Sequence, residues 1–113
     1  MSDCLFCRVV AGEIPATLVR ETDLTIAFRD IEPRAPVHVL VVPRDHLPDV
    51  AALCERPDLL HAVVTEAAAV ASAEGLVEGG WRLVFNTGAD AGQTVFHVHA
   101  HVLGGAQLGR LGV

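Results

Sequence analysis

A chain of 113 residues can build one hydrophobic core but not two, and a hydrophobic fraction of 51% excludes a disordered chain. The formal net charge of −6 repels polyanions at long range, which argues against coating nucleic acid but not against a small phosphate held by local dipoles. No apolar run reaches the length of a membrane span, and Met1-Ser2-Asp3-Cys4 shows no secretory pattern, so a cytoplasmic protein with no nucleic-acid or membrane partner is expected.

Asp3 is placed to cap a short helix carrying Cys4, Leu5, Cys7 and Val10, with Gly12 ending it. Ile14-Pro15-Ala16 is extended. Residues 18–21 and 24–29 read as a hairpin turning at Thr22-Asp23. A loop with Pro33 and Pro36 leads into a β-branched strand at 37–42, stopped by Pro43. A weak helical stretch spans 49–54. Pro57 then opens a long helix, with Leu60, Val63, Val64, Ala67, Val70 and Ala71 on one stripe and Gly75 and Gly79-Gly80 closing it. Residues 81–86 form a strand, 87–94 a polar loop with Gly88 and Gly92, and 95–103 a final strand followed by a small tail. The order predicts a single α+β domain over 1–113: an antiparallel sheet of about five strands, one long helix and a short N-terminal helix.

The last strand carries the chemistry. Its period of two puts Val95, His97, His99, His101 and Leu103 on one face, and Phe96, Val98, Ala100 and Val102 on a second, apolar face that should meet the core. Three imidazoles in a row cost stability compared with an apolar row, since partly buried rings need partners. A role is the economical explanation. Two remain open on residue type alone: phosphate chemistry beside the glycine loop, or a transition-metal site.

His97-Val98-His99-Ala100-His101-Val102-Leu103 resembles the defining motif of the histidine-triad (HIT) family, in which histidines alternate with apolar residues. The resemblance extends to Ala11-Gly12-Glu13-Ile14-Pro15-Ala16 and to Ala27-Phe28-Arg29-Asp30-Ile31 with Pro33 and Ala35-Pro36-Val37-His38. It continues through Val42-Pro43-Arg44-Asp45-His46 and the loop with Asn86, Gly88, Ala91-Gly92-Gln93-Thr94 and Val95. It implies a HIT-like fold and a nucleotide hydrolase. His99 would be the nucleophile at phosphorus, its far nitrogen donating to a backbone carbonyl. His38 and His101 would hold the hydrogen-bond network and the phosphate oxygens. Amides near Gly92, Gln93 and Thr94 would face the phosphate, with the Thr94 hydroxyl near the leaving group. Asp30 would accept the ribose hydroxyls, Ile31 would pack on the base, and Asn86 would reach the ribose or phosphate. Read singly, Asp30 could cap a turn, Asn86 could form a turn and Thr94 could be an ordinary strand residue. His61 has no assigned role.

Cys4-Leu5-Phe6-Cys7 is a thiolate pair, and zinc needs two further ligands. Resemblance to bacterial-type relatives supplies them as His46 and His97, a structural zinc tying the N-terminal helix to the sheet. A redox pair or two buried apolar cysteines are the alternatives, although the motif lacks the βαβ setting of a redox pair. Cys54 reads as a small core residue.

Asn86 and Gly104-Gly105 resemble the Hint branch of the family. This implies hydrolysis of purine nucleoside 5′-phosphoramidates through a nucleotidyl-His99 intermediate, with no cofactor needed for catalysis, and a homodimer using the long helix. A dinucleoside polyphosphate hydrolase or nucleotidyl transferase is the alternative enzyme, and a zinc-stabilised nucleotide-binding module the alternative of another class. The tail Ala106-Gln107-Leu108-Gly109-Arg110-Leu111-Gly112-Val113 lacks the aromatic ending common in that branch.

Overall fold

A computed structural model describes residues 3–110; the end of the tail, Leu111, Gly112 and Val113, lies outside the described residues. The elements in chain order are α1 (Leu5–Val10), β1 (Leu18–Glu21), β2 (Thr25–Arg29), β3 (Val37–Pro43), α2 (Val50–Cys54), α3 (Pro57–Ala73), β4 (Trp81–Val84) and β5 (Ala100–Gly104), with a 3-10 turn at Ala89–Ala91. The strands form one antiparallel sheet in the order β1-β2-β3-β5-β4. This is the expected α+β architecture.

The ladder assigns the two faces. Ala27 pairs with Val41, Val41 with Ala100 and Val39 with Val102, and directly opposed residues share a face. That face is covered by α3, whose Leu59, Val63, Ala67, Val70 and Ala71 are fully buried against it. The predicted stripe therefore needs two corrections. Leu59 replaces Val64, which is exposed, and a charged residue, Glu66, lies on the buried side. Arg20 Nε meets Glu66 Oε1 at 2.7 Å, and the Thr25 hydroxyl lies 3.4 Å from its other oxygen. A buried carboxylate is tolerated there because it is paired and hydrogen-bonded.

Ile26, Phe28, Leu40 and Val42 face the other way and pack against Phe6 and Val9 of α1. α1 has six residues, too few to cover a five-stranded sheet. Beside it a hollow remains over the part of the sheet where His38, Leu40 and His101 stand on β3 and β5.

Three local expectations differ. The cap of α1 is Cys4, whose sulfur accepts from the Cys7 amide at 3.3 Å, and not Asp3. Cys54 ends α2 exposed, and the core residue of that turn is Leu53. The final strand begins at Ala100 instead of 95. Its upstream backbone is engaged elsewhere: the Val98 amide donates to the Leu47 carbonyl at 2.7 Å and the His97 carbonyl accepts from the His99 ring. Val98 still reaches the core, but Phe96, outside the ladder, is exposed instead of buried.

Candidate active site

The bare end of the second face forms a cavity of about 500 Å³. Its floor is His38, Leu40 and His101. One wall is α1 with Leu5, Phe6 and Val9, and another is the segment Asp30, Ile31 and Arg34. The loop before β5 closes it with Asn86, Ala91, Gly92, Thr94 and His99. The volume suits a small organic ligand.

The three alternating histidines do not act together. His97 is fully buried and turned away from the cavity, whereas His99 and His101 line it. A site made of the three rings as metal ligands is therefore not what forms. Instead, ring nitrogens are assigned one by one through their partners. His99 Nδ1 lies 2.8 Å from the His97 carbonyl, so Nδ1 carries the proton and donates, and the Nε2 lone pair is free. The Arg34 amide donates to His38 Nδ1 at 3.0 Å, which puts the His38 proton on Nε2. His38 Nε2 then donates to His101 Nδ1 at 2.9 Å, leaving His101 with its proton on Nε2. Asp30 Oδ2 is 3.4 Å from His38 Nε2 and reinforces that tautomer. The Asn86 amide is 3.4 Å from His101 Nε2; its oxygen is the complementary atom there, since His101 is the donor.

Burial lowers the pKa of all three cavity rings. His101 is pushed down to about 4, by desolvation first and then by His99 and His38, against an opposing pull from Asp30. His99 is lowered by burial against the His97 carbonyl and Asp30. His38 is lowered by burial and, more weakly, by the Arg34 charge, with Asp30 opposing. The rings are thus neutral at neutral pH, so His99 presents a lone pair and His101 an N–H.

The glycine loop is built by backbone geometry. Gly88 and Gly92 have φ of 83° and 85°, a region that a side chain disfavours. The amides of Ala91, Gly92 and Gln93 are spent inside the turn, on the carbonyls of Gly88, Ala89 and Gly88. Gln93 is a correction to the expected set of ligand-facing residues. Its buried side chain accepts from the Gly88 amide at 2.9 Å and donates to the Pro48 and Val95 carbonyls at 2.8 and 3.1 Å, so it braces the loop. Thr94 lines the cavity, and its amide and hydroxyl have no partner among the described residues. Asp30 does cap a turn, accepting from the Glu32 amide at 2.8 Å, while its other oxygen faces His38. Ile31 is 92% exposed at the cavity rim. Phe6 was not singled out from sequence, yet its ring meets His99 edge-on with centroids 4.9 Å apart. An aromatic between two cysteines carries no periodic signal that would have revealed it.

Cys4, Cys7, His46 and His97 gather their sulfur and nitrogen atoms within 4.8 Å of one another. Sulfur-to-nitrogen distances are 3.4 Å for Cys4–His97, 3.3 Å for Cys7–His46 and 3.4 Å for Cys7–His97, and the two Nδ1 atoms are 3.3 Å apart. Zinc bonds of about 2.0–2.3 Å at tetrahedral angles would separate such atoms by about 3.3–3.6 Å, so the donor set fits. His97 Nε2 donates to the Pro43 carbonyl at 2.8 Å, which leaves Nδ1 as the ligand atom.

The cavity is offered one free imidazole nitrogen and one imidazole N–H, as the resemblance to histidine-triad proteins implied, and comparison with known proteins agrees. The HIT domain family model matches residues 11–108. The purine nucleoside phosphoramidase of Escherichia coli K12 is 43% identical over 110 residues, covering 95% of this chain and 91% of that protein. The 14 kDa zinc-binding protein of Brassica juncea is 43% identical over 109 residues, covering 94% and 96%. The crystal structure of a HIT family hydrolase from Legionella pneumophila Philadelphia 1 has a TM-score of 0.92 at 45% identity, covering 96% of this chain and 97% of that one. The chain belongs to the HIT-domain family and is a hydrolase.

Proposed function

We propose that the chain hydrolyses purine nucleoside 5′-phosphoramidates through a nucleotidyl-His99 intermediate. The observation that carries this reading is the 2.8 Å bond from His99 Nδ1 to the His97 carbonyl, which leaves Nε2 free beside the cavity. The Escherichia coli relative, a purine nucleoside phosphoramidase, supports the substrate class.

In this reading Nε2 attacks the α-phosphorus and the P–N bond breaks. The leaving nitrogen takes a proton from solvent, relayed by the Thr94 hydroxyl, and departs as the neutral amine. Water then attacks the same phosphorus. The His99–phosphorus bond breaks, nucleoside monophosphate leaves, and the proton consumed in the first step is returned. His101 Nε2–H, kept as a donor by the Arg34–His38–His101 relay, and the Thr94 amide stabilise the phosphate oxygens as their charge rises. Asp30 accepts the ribose hydroxyls, the base lies between Ile31 and the apolar wall, and Asn86 orients His101.

Cys4, Cys7, His46 and His97 would hold one structural zinc, whose contribution when bound would be to tie α1 to the segment before β5. The zinc-binding name of the Brassica juncea relative supports that reading. The family resemblance further suggests a homodimer as part of this reading.

The deciding experiment is a substrate panel with wild type and His99→Ala. Wild type cleaves adenosine 5′-phosphoramidate. The variant loses turnover by about four orders of magnitude or more while still binding AMP. Faster cleavage of a diadenosine polyphosphate, or tight binding without product, overturns the reading.

A further inference from the structure

The cysteine–histidine cluster and the cavity share two physical links. The first is His97 itself. Its ring is clamped between the cluster through Nδ1 and the Pro43 carbonyl through Nε2, and its own carbonyl accepts the His99 Nδ1 proton at 2.8 Å. The second is α1. Cys4 caps it, Cys7 lies within it, and Leu5, Phe6 and Val9 form a cavity wall. Phe6 also lies edge-on to both rings, with centroids 6.2 Å from His97 and 4.9 Å from His99. Residues 95–99 lie outside any ladder and α1 has only six residues, so the cluster adds to the few anchors each has: the Val98 amide on the Leu47 carbonyl, and the packing of Val98, Phe6 and Val9 in the core. Releasing the cluster therefore removes the anchor that holds the His97 side chain, and loosens both the carbonyl that sets the His99 tautomer and the wall that encloses the ligand.

We propose that the Cys4–Cys7–His46–His97 cluster is a positioning device for His99 and for the α1 wall, so that filling the cluster and binding a nucleotide strengthen each other. This rests on the nucleotide reading above. His97 is then a positioning residue, acting on the nucleophile through its backbone. Reciprocity is required: the factor by which the metal tightens nucleotide binding equals the factor by which nucleotide tightens metal binding.

The test uses His46, which is exposed and not part of the cavity lining. Zinc content, AMP affinity by calorimetry and the ring ¹⁵N signals of His99 are compared in wild type, His46→Ala and His46→Cys. The expected result is that His46→Ala loses zinc, binds AMP about tenfold more weakly and shows His99 exchanging between tautomers. His46→Cys, which restores a fourth ligand, recovers all three. Loss of zinc with AMP affinity within about twofold of wild type and unchanged His99 signals overturns the proposal. Should His46→Ala fail to fold, wild type loaded with cobalt(II) decides: saturating AMP must shift the metal's visible bands, and an unchanged spectrum overturns the linkage. If AMP does not bind zinc-loaded wild type, the nucleotide reading fails instead, and the His99 signals still test the positioning role.

Discussion

At the scale of single residues, the proton positions on four histidines follow from fixed acceptors and donors. His99 and His97 each donate to a backbone carbonyl, and His38 receives a backbone amide that directs its own proton toward His101. Burial favours the neutral rings, and this has a consequence for pH. Folded His101 takes up its proton only near pH 4, whereas in the unfolded chain it does so at the ordinary value of 6.5. Between those values the unfolded state holds more protons. Stability is therefore full above the ordinary histidine pKa and falls as pH drops toward the folded value, by roughly 3 kcal/mol for this group. Urea unfolding from about pH 7 down to about pH 4.5 is expected to show this decline, and His101→Gln to flatten it. A stability profile equal in the two proteins would contradict the buried neutral relay.

At the scale of elements, the loop from Gly88 to Thr94 is held by one side chain. Gln93 satisfies an amide and two carbonyls, all within or against the loop. Truncating it leaves those groups without their partner, so Gln93→Ala is expected to cost about 1–3 kcal/mol of stability and to reduce kcat/KM by loosening Thr94 and Asn86. Thermal unfolding and kinetics of the variant check both effects; unchanged turnover would show that the loop keeps its shape without the brace. α3 shows the same principle in the core. Its apolar stripe was legible from the 3.6-residue period, but the position of Glu66 on the buried side was not, because its partners Arg20 and Thr25 are on other strands.

At the scale of the whole molecule, the cysteine–histidine cluster joins residues 4, 7, 46 and 97, the two ends of the sequence and its middle. Protein purified without chelator is expected to carry about one zinc per chain, and Cys7→Ser to carry none. Elemental analysis decides between them, and removal of the metal is expected to lower the unfolding temperature, since binding energy at such a site is folding energy. The homodimer expectation also belongs here. The buried stripe of α3 is used against its own sheet, so a second copy must use other surface. β4 is a sheet edge, and Val64 is the large exposed apolar residue among those described in α3. Light scattering should give twice the chain mass; a monomer at micromolar concentration would remove the dimer from the account.

The sequence alone determined the order of elements, because period-two and period-3.6 patterns, proline stops and glycine breaks act over a few residues. It also determined which side chains could do chemistry, since alternating histidines and a C-x-x-C pair have few bland uses. The tertiary structure decided how those side chains are divided. His97 leaves the cavity for the cysteines, while His99 and His101 stay. The expected long strand begins only at Ala100, because the backbone before it bonds to Leu47 and to the His99 ring. Cys54 is exposed, Gln93 braces a loop, and Phe6 lies against the nucleophile. Each of these outcomes depends on a partner distant in the chain or on competition for a hydrogen bond, and neither leaves a periodic trace in the sequence.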